Sequence, residues 1–124
     1  MLINVSNHPS QYWPENQMEL AISQFSTLID LPFPAIDPRS TEGVIDLLAS
    51  DYFTKIMAIL DECANEPYAH AIHIQGEYTF VFRLVTLLKA SGIRCIASTS
   101  NRNVEYQESG DKIVKFDFIG FRDY

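Results

Sequence analysis

Short apolar runs alternate with helix-periodic segments three times along the chain, and this alternation restricts the fold more than any other feature of the sequence. Leu2 to Val5 is an apolar run that stops at the turn cluster Ser6-Asn7-His8-Pro9, as a buried strand does. From Pro14 to Phe25 the period becomes helical, with Met18, Ala21, Ile22 and Phe25 on one face. Thr27 to Leu31 reads as a second strand, ended by Pro32-Phe33-Pro34. After a loop over Ala35 to Arg39, Ser40 or Thr41 is expected to cap a second helix, with a break near Ser50-Asp51. Ala69 to Ile74 is the third strand, and Tyr78 to Ala90 the third helix, ended by Ser91-Gly92. Ile93 to Ala97 is the fourth strand. Val104, Tyr106, Ile113, Val114, Phe116 and Phe118 then flank Glu108-Ser109-Gly110-Asp111, a hairpin signal.

Strand, helix, strand, repeated, implies parallel pairing with right-handed crossovers. The expected class is α/β, in a single domain over 1–124, with sheet order 2-1-3-4 and a C-terminal antiparallel hairpin strand. In that order the crossovers diverge between strands one and three, opening a crevice at their carboxyl ends. The loops Ser6 to Ser10 and Gln75 to Thr79 meet there.

Charge narrows the partners. The formal net charge is −7, against a basic face that would track duplex nucleic acid. A small anion remains compatible, because a few backbone N–H groups and an arginine neutralise a phosphate locally. No apolar run reaches membrane-span length and the N-terminus lacks a signal pattern, so the expected location is cytoplasmic, with no membrane partner. Cys63 and Cys95 are expected as reduced thiols. His70 and His73, three apart on a strand, face opposite sides and share no metal; no metal or cofactor is expected.

Several crevice residues carry two readings. Gly76 either lets a ligand approach the backbone, exposing the N–H groups of Tyr78 and Thr79 at a positive helix end, or simply makes a tight turn. Glu77 is a helix-dipole partner, or else an acceptor for a ribose hydroxyl or a general base. His8 is a proton shuttle or a turn residue. The stretch Ser98-Thr99-Ser100-Asn101-Arg102 is a phosphate or base-edge reader, or a polar loop. Arg122 is a partner for a carboxylate, the favoured reading, or for a ligand phosphate. Phe116, Phe118 and Phe121 are expected in core or interface, and Trp13 as a lid over the crevice or a hydrophobic staple.

Leu2-Ile3-Asn4-Val5-Ser6-Asn7-His8-Pro9, Gln75-Gly76-Glu77, and Phe116-Asp117-Phe118 through Arg122-Asp123-Tyr124 resemble small CRISPR-associated proteins of type III systems. The resemblance implies a Rossmann-like three-layer sandwich related to the CARF sensor fold. It also implies a two-fold homodimer that binds cyclic oligoadenylate and cleaves it as a metal-independent ring nuclease. The resemblance leaves two other roles open, a non-catalytic sensor or sponge and a small protein-interaction domain. On the nuclease reading a ribose 2′-hydroxyl attacks the adjacent phosphate, with His8 and Arg102 as catalytic groups. Ser6, Asn7, Gly76, Glu77, Tyr78, Thr79, Ser98, Thr99 and Ser100 would contact the ligand.

Overall fold

The computed structural model describes residues 1–124. Its elements are β1 (Leu2–Ser6), a 3-10 turn (Ser10–Tyr12), α1 (Glu15–Phe25), β2 (Leu28–Asp30), α2 (Glu42–Glu62), β3 (Ala71–Gln75), α3 (Tyr78–Ala90), β4 (Cys95–Tyr106) and β5 (Lys112–Asp123). They form one five-stranded sheet in the order β2-β1-β3-β4-β5. The first three pairings are parallel and β4–β5 is antiparallel. This is the Rossmann-like α/β arrangement that the alternating pattern implies.

Two apolar clusters lie on opposite faces of the sheet and make it a three-layer sandwich. On one face Leu2, Ala71 and Ile96 pack with Trp13, Ala21 and Phe25 of the α1 segment. On the other, Ile3, Val5, Ile72, Ile74 and Cys95 pack beneath α2 and α3. Side chains alternate along a strand, so the parallel register stacks like against like. Leu2 stands beside Ala71, Asn4 beside His73, and Ser6 beside Gln75, while His73 also stands beside Ile96. The α1 face is therefore apolar at the amino ends of the strands and polar at their carboxyl ends.

Three local expectations need correction. Helix α2 runs unbroken through Ser50-Asp51, because Ile45, Ala49, Tyr52, Ile56 and Leu60 keep one buried face across that point. Thr41 is its N-cap, accepting from Val44 N–H. Ser98 to Arg102 is not a loop. β4 continues through it to Tyr106, since β5 offers a ladder partner at nearly every position, from Ile96↔Asp123 to Tyr106↔Lys112. One residue, Ile119, bulges between Gly120 and Phe118. Arg122 makes no ion pair; Asp123, the next residue on β5, points to the opposite face of the sheet and pairs with Arg94 at 2.9 Å. Of the three phenylalanines, Phe118 is buried and Phe121 packs against the α1-face cluster, but Phe116 is exposed. No helix is long and apolar enough to cross a membrane.

Gly76 lies at the β3–α3 turn, and the Phe33 ring rests directly on its α-carbon. Phe33 is held in turn by an edge-to-face contact with Phe80 at 5.3 Å. A methyl group at position 76 would overlap the Phe33 ring. Gly76→Ala is expected to destabilise the fold by about 1–3 kcal/mol through this overpacking, read as a lower urea midpoint. Gly92→Ala, with open space around the α-carbon but a φ of +75°, loses stability only through backbone strain.

Candidate functional site

Strands covered on both faces normally carry apolar side chains throughout. Here β1 and β3 place Asn4, Ser6 and His73 in the buried layer, and α1 adds Gln17. These four buried polar side chains form one hydrogen-bonded network with Asp30 and Ser98, in which no buried side-chain nitrogen or oxygen lacks a partner. A buried polar network is stable only when every member is satisfied, so its geometry can be read group by group.

The direction of each bond follows from Asp30. Its carboxylate can only accept, so Asn4 turns Nδ2 toward it at 2.7 Å and donates its other proton to His8 O at 3.1 Å. Ser10 holds the same carboxylate through its N–H and Oγ. Asn4 Oδ1 is thereby left as an acceptor, facing His73 Nδ1 at 2.8 Å and Ser6 Oγ at 2.8 Å. The Nδ1 of His73 must carry the proton, and Nε2 carries a lone pair. That lone pair faces Ser98 Oγ at 2.7 Å, so Ser98 donates. Gln17 Nε2 donates to the same hydroxyl oxygen at 3.0 Å. Burial, reinforced by nearby His8, pushes the His73 imidazole down to about 4, consistent with this neutral tautomer. The Trp13 indole covers it edge-on, with ring centroids 5.1 Å apart, and donates to His8 O.

Above Ser98 and His73 opens a cleft of about 250 Å³ at the carboxyl ends of β1, β3 and β4. Asn7, His8, Gln17, Gln75 and Ser100 give it polar groups, and Phe116 and Phe118 form an apolar wall. The Gln75 side chain pairs with the backbone of Ser98 in both directions, at 3.1 Å each, and so extends the β3–β4 ladder to the cleft floor. A second cleft of about 420 Å³ lies on the other side of Asn4, between β1 and the segment after β2.

The residues singled out in the sequence divide into two groups. Asn7, His8, Ser98 and Ser100 line the smaller cleft together, and Ser6 stands beneath them. His8 Nε2 donates to Tyr12 O at 3.2 Å, which leaves Nδ1 with the lone pair. The α3 residues are elsewhere. Glu77 caps α3, accepting from Thr79 N–H, Thr79 Oγ1 and Phe80 N–H, and these bonds, Phe80's foremost, hold its carboxyl below its ordinary value. The Thr79 N–H expected to greet a ligand is thus already occupied. Tyr78 is 89% exposed on the outer surface. Gly76 faces Phe33. Thr99 points away from Ser98 along the strand and donates to Gly120 O. Arg102 is exposed, makes no ion pair, and lies farther out on β4 on the same alternation as Ser98 and Ser100. No three His, Cys, Asp or Glu side chains converge to hold a metal ion.

The pH dependence of folding follows from His73. Its folded pKa of about 4 lies below the ordinary value of about 6.5, so the unfolded chain binds its proton more readily. The contribution is complete above pH 6.5, falls as pH drops from there to about 4, and levels off below. Urea unfolding across that window should lose about 3 kcal/mol from this group. His73→Gln starts less stable and lacks that part of the slope. Asn4→Ala orphans the His73 Nδ1–H and should cost about 1–3 kcal/mol at neutral pH.

No curated protein and no solved structure matches the chain. A family model described as the uncharacterized protein MJ1673 family matches residues 1–122. That span contains the whole fold but for the last residue of β5, together with every residue of the cleft, and the chain belongs to the MJ1673 family.

Proposed function

We propose that the chain is a cytoplasmic protein that binds cyclic oligoadenylate as a homodimer and cleaves it without a metal ion. The observation that supports this reading is the cleft at the carboxyl ends of β1, β3 and β4, where amides, hydroxyls, a histidine and an exposed aromatic ring meet. Ligands of open α/β sheets bind at that edge. Asn7, exposed at the cleft, offers a donor and an acceptor for a base edge, and Phe116 offers a face for stacking, which is sequence-tolerant and suits adenine. Arg102, without a carboxylate partner, is available to a phosphate. At about 250 Å³ the cleft holds part of a nucleotide ring rather than all of it. Two copies facing across a two-fold axis would share one symmetric ligand.

The cleavage needs no group beyond those in the chain. The ribose 2′-oxygen attacks the neighbouring phosphorus and the bond to the 5′-oxygen breaks, leaving a 2′,3′-cyclic phosphate. His8, with its Nδ1 lone pair, takes the 2′-hydroxyl proton, Arg102 balances charge on the phosphate, and solvent water protonates the departing 5′-oxygen, with the proton on His8 returned to solvent. Incubating the protein with cyclic tetra- and hexa-adenylate in EDTA, followed by chromatography, tests this. Linear products ending in a cyclic phosphate are expected. His8→Ala should slow cleavage by about 10²–10⁴-fold, and Arg102→Ala should weaken binding most at low salt. Intact ligand with a raised melting temperature identifies a sensor or sponge instead. Intact ligand with an unchanged melting temperature removes the nucleotide reading.

A further inference from the structure

The nucleotide reading leaves the best-ordered chemistry of the cleft unused. We propose that Ser98 is a nucleophile, activated by His73, that forms a covalent acyl intermediate with small uncharged carboxylic esters. Three features carry this. First, Ser98 Oγ lies 2.7 Å from the unprotonated Nε2 of His73, whose Nδ1–H is fixed at 2.8 Å by Asn4, itself anchored on Asp30. A nucleophile, a base in a set tautomer and an orienting group stand in that order, which is the arrangement that makes a weak hydroxyl reactive. Second, a hydroxyl oxygen has two lone pairs, and Gln17 occupies only one of them. The other is left for an electrophile, and Ser98 lines the cleft. Third, the base and its supports are sequestered: Asn4, Gln17 and His73 are at least 95% buried, and of the network residues that line the cleft Ser98 is the least buried.

The electrophile is neutral at this position because no lysine or arginine lines the cleft around Ser98, Arg102 standing farther out on β4. Ser98 Oγ bonds to the ester carbonyl carbon while its proton passes to His73 Nε2. His73 returns that proton to the departing alkoxide as the carbon–oxygen bond breaks. Water then adds to the acyl group, giving a proton to His73, and Ser98 leaves with that proton as the acid is released. Gln17 and Asn4 are positioning residues. The burial that keeps His73 neutral also weakens it as a base, which slows water attack on the acyl group more than acylation by an ester with a good leaving group, so the reaction is read as a covalent adduct rather than as turnover.

The test uses the full chain with p-nitrophenyl acetate and, separately, a fluorophosphonate, followed by intact-mass measurement and peptide mapping. One adduct on Ser98 is expected from each reagent, absent in Ser98→Ala and formed at least tenfold more slowly in His73→Gln at matched folded fraction. Because burial raises the Cys63 and Cys95 thiols, Ser98→Cys gives a check that does not depend on the histidine variant folding. The introduced thiol should react with iodoacetamide faster than either native cysteine. Folded wild-type protein without an adduct on Ser98, labelling spread evenly over Ser10, Ser98 and Ser100, or an introduced thiol no faster than Cys63 overturns the proposal. Neither reagent contains a nucleotide, so this outcome is read independently of cyclic oligoadenylate cleavage.

Discussion

The hydrogen bond from His73 Nδ1 to Asn4 Oδ1 joins β1 to β3 in a layer where neighbouring strands would otherwise meet through apolar side chains. It sets more than one local distance. Because Asn4 commits its amide protons to Asp30 and His8 O, the loop after β1 and the end of β2 are tied to the same point. Because His73 commits Nδ1 to Asn4, its other nitrogen must accept, and Ser98 on β4 is turned to supply a proton. One asparagine thus fixes the tautomer of a histidine and the rotamer of a serine two strands away. Each member left alone in this layer would carry a desolvation penalty of about 1–3 kcal/mol, so the network forms as a unit or not at all.

The architecture was open to reading because it depends on periodicity. The apolar runs at Leu2–Val5 and Ala69–Ile74, the helical spacing after Pro14 and Tyr78, and the Gly110 turn each declare an element through spacing alone, and their sequence fixes the strand order. The crevice position follows from the order. The site itself was half legible. Asn7, His8, Ser98 and Ser100 stand out as polar residues near strand ends. Asn4, Gln17 and His73 do not, because each is hidden in an apolar element. A signal existed: after a first apolar residue, Leu-Ile-Asn-Val-Ser and Ala-Ile-His-Ile-Gln alternate apolar with polar, which is unusual for strands covered on both faces, and the polar positions of the two segments fall at matching distances from their ends. The extension of β4 could not be seen, since Ser98 to Asn103 has no apolar period and owes its strand conformation to its partner β5.

The two ends of α3 and β3 show why a helix terminus after a parallel strand is not automatically an anion site. Glu77 folds back onto the first turn of α3 and occupies its donors, and Phe33 fills the space above Gly76. Negative charge is supplied from within the chain, and the open polar cleft lies toward β4 instead. The aromatic wall contributed by β5 completes that edge, so the C-terminal hairpin is part of the cleft rather than an appendage to the sheet.

The sheet also limits its own growth. At one margin β2 is three residues long and is followed at once by Pro32 and Pro34, which offer no N–H for further pairing. At the other, β5 is long, but Lys112, Lys115, Asp117, Arg122 and Asp123 interrupt its apolar positions, and the extra residue at Ile119 breaks the even spacing of its outward carbonyls. A neighbouring chain seeking to lengthen the array by strand addition meets imino acids on one flank and charge with a kink on the other. Contact between copies by strand addition is disfavoured at both flanks and falls instead to side-chain surfaces.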